Sequence, residues 1–291
     1  MEKIAFIINP NSGLSRKKNV DQLIEDVFPV SDGYELFRYR TKCAGDATVV
    51  AKEFVKQGFD KVVAIGGDGT VNEVARSLVN TNTVFGIVPH GSGNGLARHL
   101  KIPLSTKRAL ETIRDAKPIA IDCCMLNNTP FFCTAGAGFD AQVGIRFARD
   151  SMRGLLTYVK HIIGEFATYK SEKYKIILDG QMIERDAFLI TFANASQWGN
   201  NAHIAPKADI SDGLLDVVIM STFPVYRAPQ IGLELLVTKR IDQLRYIEVF
   251  KCKHVILERP KAGYIHYDGE PIRMGKMLNV QIKERTLKVL A

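Results

Sequence analysis

The 291-residue chain is about twice the usual domain length, and its 46% hydrophobic and 24% charged residues are typical of a folded globular protein rather than a disordered or fibrous one. Its formal net charge of +8 favours anionic partners such as phosphates or acidic lipid surfaces, but no segment interleaves basic with aromatic residues as single-strand binders do, so we expect no nucleic acid partner. No apolar run approaches the roughly 18 residues needed to cross a bilayer, and the chain begins with a strand rather than a leader. The five cysteines have neither disulfide nor zinc spacing. We therefore expect a cytoplasmic protein.

Strand-like and helix-like segments alternate over roughly the first 118 residues. In chain order the pairs are KIAFIIN before a polar helical stretch, YELFRYRT before GDATVVAKEFVKQGF, KVVAIGG before TVNEVARSLV, and VFGIVPHG before NGLARHL. Such an alternation predicts a doubly wound α/β domain with a parallel sheet, because parallel strands are joined by right-handed helical crossovers. Ligands of such sheets bind beyond the carboxyl ends of the strands.

After AKPIAID the segments are mainly strand-like. They are IAIDCCML, PFFCTAG, KYKIILDG, DAFLITFANAS, LLDVVIM, KHVILER and YIHYDGE. This pattern predicts a second, mainly antiparallel β domain. We place the first domain at residues 1–118 and the second at 119–279, and leave open that the tail from about 280 to 291 returns to the first domain.

Polar and glycine-rich residues follow each strand of the first domain. Residues 9–13 follow the first strand, Thr41 ends the second, residues 66–70 follow the third and residues 90–95 follow the fourth. Glycines let backbone N–H groups approach phosphate oxygens, and a following helix adds its positive N-terminal potential, which predicts a nucleotide site. Any one loop could be glycine-rich for its turn geometry alone. The loops match neither a Walker motif nor a dinucleotide fingerprint, which excludes an ordinary P-loop NTPase or dehydrogenase.

An acid, Asp68, stands among the glycines of GGDGT. A carboxylate beside a phosphate is repelled unless a cation lies between them, and Mg²⁺ is the usual bridge. Asp68 is therefore a candidate Mg²⁺ ligand. The alternative is an aspartate that caps the following helix, a role that Thr70 could also fill.

Five motifs together resemble the diacylglycerol kinase catalytic family, which includes bacterial lipid kinases, sphingosine kinases and ceramide kinases. They are NPNSG, GGDGTVNEV, GSGNGLARHL, AGAGFDA and a late DGE, and they span residues 9 to 270. GGDGT is shared with NAD kinases and identifies only the superfamily. GSGN about twenty residues later, with NPNSG at the start, narrows the resemblance to lipid kinases.

The resemblance implies that ATP binds between an α/β domain and a β-sandwich domain. It also implies a set of nucleotide-binding residues, with serine where many bacterial members have threonine. These residues are Asn9, Thr41, Gly66, Gly67, Asp68, Gly69, Thr70, Val71, Asn72, Ser92 and Asn94.

The resemblance implies a catalytic base and a second metal site as well. Glu270 of YDGEPI would take the proton from the acceptor hydroxyl as that hydroxyl attacks the γ-phosphate, with Asp268 the next candidate; in isolation DGE is an ordinary hairpin turn. KADISDGLLDV resembles a segment that holds a structural Mg²⁺, through the side chain of Asp212 and backbone carbonyls near Asp209 and Leu214. A solvent-exposed acidic turn before a strand is the alternative there.

The segment 154–170 has an apolar stripe at helical spacing, formed by Leu155, Val159, Ile162, Phe166 and Tyr169. Such a helix more often covers its own protein core than lies on a membrane. The basic balance of the chain favours a transient, peripheral contact with anionic lipid.

We conclude from the sequence that the chain is an ATP- and Mg²⁺-dependent lipid kinase that phosphorylates a lipid hydroxyl, with diacylglycerol the first acceptor to test. A sphingoid base or another lipid alcohol is the next acceptor. NAD kinase activity and a nucleotide-sensing protein without turnover are the alternatives. The oligomeric state, a homodimer included, stays open.

Overall fold

The computed structural model describes residues 1–12, 20–139, 141 and 169–291. The chain forms two compact units, one made of Met1–Cys123 with Glu284–Ala291 and the other of Cys124–Lys283. All but the last two residues of the helix predicted over 154–170 lie outside the described residues.

The first unit is built on parallel strands in the order β2-β1-β3-β4. Its strands are β1 (Glu2–Ile8), β2 (Tyr34–Arg40), β3 (Lys61–Gly66) and β4 (Val84–Pro89). β1 and β3 are apolar along nearly their whole length and are buried, as central parallel strands must be. The last residues of the chain return to this unit, where Val289 pairs with Phe85 of β4 in parallel.

Helices connect these strands and cover the sheet. They are α1 (Val20–Val27), α2 (Asp46–Lys56), α3 (Asp68–Leu78), α4 (Gly95–His99) and α5 (Thr106–Asp115). α1 packs against α5 and α2 packs against α3, and right-handed crossovers place these two pairs on opposite faces of the sheet. The predicted doubly wound α/β fold is confirmed. Because β2 and β3 lie on opposite sides of β1, the chain reverses its direction of winding at the carboxyl ends of β1 and β3, where ligands bind in such sheets.

The second unit consists of two antiparallel sheets. Its strands are β5 (Pro118–Leu126, which begins in the first unit), β6 (Thr129–Phe131), β7 (Thr134–Gly138), β8 (Glu172–Leu178), β9 (Gln181–Ala187), β10 (Leu189–Ala193), β11 (Leu215–Met220), β12 (Ile247–Cys252), β13 (His254–Glu258), β14 (Gly263–Tyr267), β15 (Glu270–Met274) and β16 (Met277–Leu290, which ends in the first unit). One sheet runs β12-β11-β10-β7-β14-β15, and the other contains β16-β13-β8-β9 with β5 and β6 at β16.

Side chains from both sheets form one core. Ile190 and Phe192 of β10 share a buried cluster with Val255 and Leu257 of β13. The predicted β-sandwich is thereby confirmed. Leu189, on the opposite face of β10, joins a second buried cluster, which explains why β10 and β11 are apolar at consecutive positions rather than alternate ones.

The second cluster is covered in part by helix α6 (Ala228–Leu233), which continues as a π-helical turn (Glu234–Thr238). Within the part of the chain that the structure describes, no helix has the length and apolar character needed to cross a membrane.

Candidate functional site

The glycine-rich loops after β3 and β4 touch backbone to backbone. The Gly67 and Gly91 main chains approach so closely that a Cβ on Gly91 would lie 2.7 Å from the Cα of Gly67. His90 N–H also donates to the Gly66 carbonyl at 2.7 Å. The glycines are therefore required first for contact between the two loops.

Asp68, the first residue of α3, joins these loops through its carboxylate. Oδ2 accepts the N–H of Asn94 at 2.8 Å and Oδ1 accepts the N–H of Gly95 at 2.7 Å. A Cβ on Gly93 would lie 2.7 Å from Oδ2, so a side chain at position 93 would displace the Asp68 carboxylate from its bonds. Asp68 thus caps the start of α4, a helix that begins 27 residues later in the chain.

Burial raises the pKa of the Asp68 carboxyl, while the N–H groups of Gly95 and Asn94 and the charge of Arg98 act in the opposite direction. Each carboxylate oxygen has accepted one backbone N–H and retains further acceptor capacity. Mg²⁺ is usually held by one or two carboxylates together with phosphate and water oxygens. The single Asp68 carboxylate fits that pattern, and its role as a Mg²⁺ ligand stays a prediction.

Asn94 fixes the shape of the loop after β4. Its backbone is left-handed, with φ of 49°. Its side-chain amide accepts from Gly91 N–H at 2.8 Å and donates to Gly91 O at 2.7 Å. The amide is therefore occupied within the loop, whereas Ser92 at the loop tip is exposed and presents the hydroxyl of the GSGN motif.

The loops after β1 and β3 are joined by Asn9. Its Nδ2 donates to the Thr70 hydroxyl at 3.0 Å, and its backbone N–H donates to Ile65 O at 2.9 Å. Thr41, at the end of β2, donates its N–H to Ile8 O at 2.9 Å. The structure thus gathers the predicted residues Asn9, Thr41 and Thr70 at the carboxyl edge of the sheet.

Other predicted nucleotide residues lie in α3. Gly69 is in its first turn, Val71 is buried, and Asn72 is buried with its side-chain oxygen accepting from Arg76. The Asn72 amide therefore points into a contact within its own helix. Direct contacts of these residues with nucleotide stay predictions.

In the second unit, DGE forms the turn between β14 and β15. Asp268 and Gly269 have positive φ, 45° and 85°, as a two-residue type I′ hairpin turn requires. The Asp268 carboxylate accepts the N–H groups of Phe132, Cys133 and Thr134 at 2.9, 2.7 and 3.2 Å. Asp268 is thereby committed to holding the hairpin in place, which weakens it as an alternative base.

A second hairpin in the same unit repeats this construction. Asp179 and Gly180, between β8 and β9, also have positive φ. The Asp179 carboxylate accepts the N–H groups of Lys253 and His254 at 3.1 and 2.8 Å. The residue after this turn is Gln181, whereas Glu270 follows the other turn.

Glu270 is half-buried at the start of β15, where it pairs with Tyr267. Among the residues that the structure describes, no hydrogen bond or ion pair engages its carboxylate. Both hairpins therefore contain a structural aspartate, and only the hairpin between β14 and β15 has a glutamate after its turn.

At the predicted second metal site, an ammonium group already lies between two carboxylates. Lys251 Nζ is 2.7 Å from Asp212 Oδ2 and 3.5 Å from Asp216 Oδ2. Burial alone would lower the pKa of Lys251, but its bonds to Asp212 and the charge of Asp216 outweigh burial and raise it. Asp209 accepts from Ser211 N–H, and Asp212 accepts from Leu214 N–H, so both acids also close local turns.

Lys251 had no signal in the sequence, because it faces Asp216 only through the pairing of β11 with β12. Asp212 and Asp216 present carboxylate oxygens here, and the Lys251 ammonium group would compete with Mg²⁺ for them. No cluster of three or more metal-binding side chains occurs among the described residues. The structural Mg²⁺ stays a prediction.

Two family models match the chain. The diacylglycerol kinase catalytic domain matches residues 3–126, and the YegS C-terminal NAD kinase beta sandwich-like domain matches residues 133–291. The chain belongs to the diacylglycerol kinase catalytic family. Membership confirms the resemblance drawn from the motifs and the predicted enzyme class, a lipid kinase.

Individual relatives agree with this assignment. A diacylglycerol kinase from Bacillus subtilis (strain 168) is 28% identical over 278 residues, which is 93% of this chain and 90% of the relative. A protein named "Probable lipid kinase YegS-like" from Chromohalobacter salexigens is 30% identical over 240 residues, 78% of this chain and 75% of the relative. The crystal structure of a diacylglycerol kinase from Bacillus anthracis str. Sterne has a TM-score of 0.76 at 20% identity, covering 99% of this chain and 96% of that chain, and shows the same fold.

We predict that Lys251→Met lowers the melting temperature of this lipid kinase, because it leaves the buried Asp216 without its counter-charge. The expected loss is about 1–3 kcal/mol, below the range for fully buried pairs because Lys251 is partly exposed. Added Mg²⁺ should restore more stability to this variant than it adds to the wild type, since it can take the place of the ammonium group.

The control is Lys175→Met, which removes an exposed lysine 4.0 Å from Glu258 and should leave the melting temperature unchanged. Thermal melts with Mg²⁺ and with EDTA make the measurement. If neither Mg²⁺ nor EDTA changes the melting temperature of the wild type or of Lys251→Met, a Mg²⁺ site at Asp212 is contradicted.

Proposed function

We propose that this lipid kinase transfers the γ-phosphate of ATP to the hydroxyl of a membrane lipid in a Mg²⁺-dependent reaction, with diacylglycerol as the acceptor. The names of the relatives support the acceptor. The observation that carries the proposal is the half-buried Glu270 carboxylate, which no group among the described residues engages. A nucleotide sensor without turnover would not need that carboxylate.

On the donor side, we assign the phosphates to the first turn of α3 and the loop after β4. Gly67 precedes α3 in an extended conformation, and the first N–H groups of a helix point outward with positive potential. Ser92 adds an exposed hydroxyl. The bonds from Asn94 and Gly95 to the Asp68 carboxylate hold the loop that carries Ser92 next to the start of α3.

Asp68 would also hold Mg²⁺, which neutralises the charge that develops on the phosphates during transfer. The pKa of the Asp68 carboxyl is raised by burial, so an ionised Asp68 is costly in the free protein. A cation beside Asp68 favours its ionised form and removes that cost.

On the acceptor side, Glu270 would accept the proton of the lipid hydroxyl as the oxygen attacks phosphorus. The turn that precedes it is fixed by the three bonds to Asp268. A base on a fixed strand end needs little reorganisation to reach its proton, which is what positioning contributes to catalysis.

The experiment that tests the function is an acceptor screen with labelled ATP. Diacylglycerol in mixed micelles, sphingosine, ceramide, a lipid extract and NAD are offered separately, and products are resolved by chromatography. We expect label in the diacylglycerol product only when Mg²⁺ is present. Label in sphingosine alone would change the acceptor, label in NAD alone would replace the lipid kinase by an NAD kinase, and ATP binding without any labelled product would favour the sensor.

We predict that Asp68→Asn abolishes most phosphoryl transfer and destabilises the protein by about 1–3 kcal/mol, because the amide offers one acceptor where two backbone N–H groups need partners. The matched control is Asp179→Asn, whose carboxylate also accepts two successive backbone N–H groups. It should lose less stability, because Asp179 and Lys253 are exposed and water can replace the lost acceptor, and it should keep its activity. Turnover as a function of Mg²⁺ concentration separates the roles: near-normal rates at every Mg²⁺ concentration for Asp68→Asn would sink its role as a metal ligand.

We predict that Glu270→Gln lowers kcat by roughly 10²–10⁴-fold, the usual effect of removing a general base. ATP affinity and the melting temperature should stay close to wild type, because no bond to Glu270 is lost. Gln181→Glu, at the equivalent position of the other hairpin, is the control and should leave kcat unchanged. If kcat of Glu270→Gln stays within about threefold, near 0.65 kcal/mol in activation free energy, another group accepts the proton.

A further inference from the structure

The segment around α6 has large apolar side chains on its outer surface. Each is between 41% and 72% exposed. They are Val225, Tyr226, Leu233, Leu236 and Val237, which we call the outer apolar face. Single exposed apolar residues are ordinary, but a cluster on one short segment marks an interaction surface.

The opposite side of this segment is already packed. Ile231 is buried in the second cluster of the sandwich, where Ala228 and Leu235 pack against it. This packed side holds the helix on the protein. Leu233, Leu236 and Val237 lie at three- and four-residue spacing on the side of the segment away from Ile231. They therefore do not contribute to the packing of this cluster.

Basic residues flank the outer apolar face along the chain. Residues 225–245 contain Arg227, Lys239, Arg240 and Arg245 against Glu234 and Asp242, and Asp242 is paired with Lys207 at 2.7 Å. Lys239 and Arg240 are exposed at the end of the π-helical turn, and in the described part of the chain no carboxylate forms an ion pair with either. This combination of exposed apolar side chains and a basic rim is the pattern of a segment that lies in the interface of an anionic membrane.

An aromatic ring strengthens this assignment. Tyr226 is among the most exposed apolar residues of the face, and the Arg227 guanidinium lies 5.5 Å from its ring centroid. Tyrosine is enriched at the headgroup level of membranes because its ring is apolar and its hydroxyl is polar. A second copy of this chain is a poorer occupant, because a two-fold contact would bring two basic rims together.

We propose that the outer apolar face enters the headgroup region of an anionic bilayer, while Lys239 and Arg240 contact lipid phosphates. The inference rests on the proposed function insofar as an enzyme that takes its acceptor from a bilayer must first reach that bilayer. It places the membrane contact on residues 225–240, a segment that the sequence had not singled out.

The test measures binding to vesicles without nucleotide or turnover. Phosphatidylcholine vesicles with and without phosphatidylglycerol are mixed with the wild type, with Leu236→Gln/Val237→Gln and with Lys239→Gln/Arg240→Gln, and the bound fraction is measured by flotation at low and high salt. We expect wild type to bind the anionic vesicles, and each double variant to bind them roughly tenfold or more weakly. The charge variant should also lose most of the salt dependence of binding.

Control variants replace exposed residues of the same kinds elsewhere on the surface. Val49→Gln removes another exposed valine, and Lys56→Gln/Lys107→Gln removes two other exposed lysines with the same change of net charge. Both controls should bind as wild type does, and all variants should keep the wild-type melting temperature. Equal binding by the face variants and these controls would overturn the proposal. The same follows if the wild type does not bind anionic vesicles.

Two further measurements distinguish membrane docking from the proposed kinase function and from self-association. Turnover on an acceptor dispersed in detergent micelles should be equal in wild type and the face variants, whereas turnover on anionic vesicles should fall with vesicle binding. A wild type that binds vesicles through this face but phosphorylates no lipid would refute the proposed function and leave the docking surface intact. Sedimentation that shows a wild-type dimer dissociated by Leu236→Gln/Val237→Gln would assign the face to self-association instead.

Discussion

The contact between the two glycine-rich loops that follow β3 and β4 depends on the carboxylate of Asp68. Its two oxygens satisfy the N–H groups of Asn94 and Gly95, which begin a helix too short to be stable by itself. Without an acceptor, each buried N–H would cost about 1–3 kcal/mol. The contact between Gly67 and Gly91 and the missing side chain of Gly93 follow from this bond, because any Cβ at these places would hold the loops apart.

The buried position of Asp68 affects both its pKa and its possible roles. Burial raises the pKa of the Asp68 carboxyl, so the folded protein binds a proton there more tightly than the unfolded chain does. Ionisation of Asp68 therefore weakens folding as the pH rises through the raised pKa, unless a cation shares the charge. The structural role of Asp68 as an acceptor of two backbone N–H groups is therefore compatible with the metal-ligand role that we propose for it.

Much of the fold could be predicted from periodicity. The buried strands, such as KVVAIGG and VFGIVPHG, and the position of polar loops after them were readable because parallel strands are apolar throughout and their loops share one edge. The order of the strands was not readable, since pairing of distant segments leaves no local pattern. The partnership of Lys251 with Asp216 was hidden for the same reason: it exists only across β11 and β12. Helix α5 was not singled out either, although its apolar residues Ala109, Leu110 and Ile113 are buried.

The two Asp-Gly hairpins show why motif residues need a structure before they receive roles. In sequence, both acids of DGE were candidates for the base, and only the resemblance to lipid kinases placed Glu270 before Asp268. In the structure, Asp268 and Asp179 perform the same work, since each accepts backbone N–H groups from a neighbouring segment and lets the turn adopt positive φ. Asp179 holds its turn in the same way although a glutamine, Gln181, follows that turn, so this structural role cannot account for catalysis. What distinguishes the DGE turn is its last residue, and this is why our proposal places the base at Glu270 and gives Asp268 the role of fixing the turn.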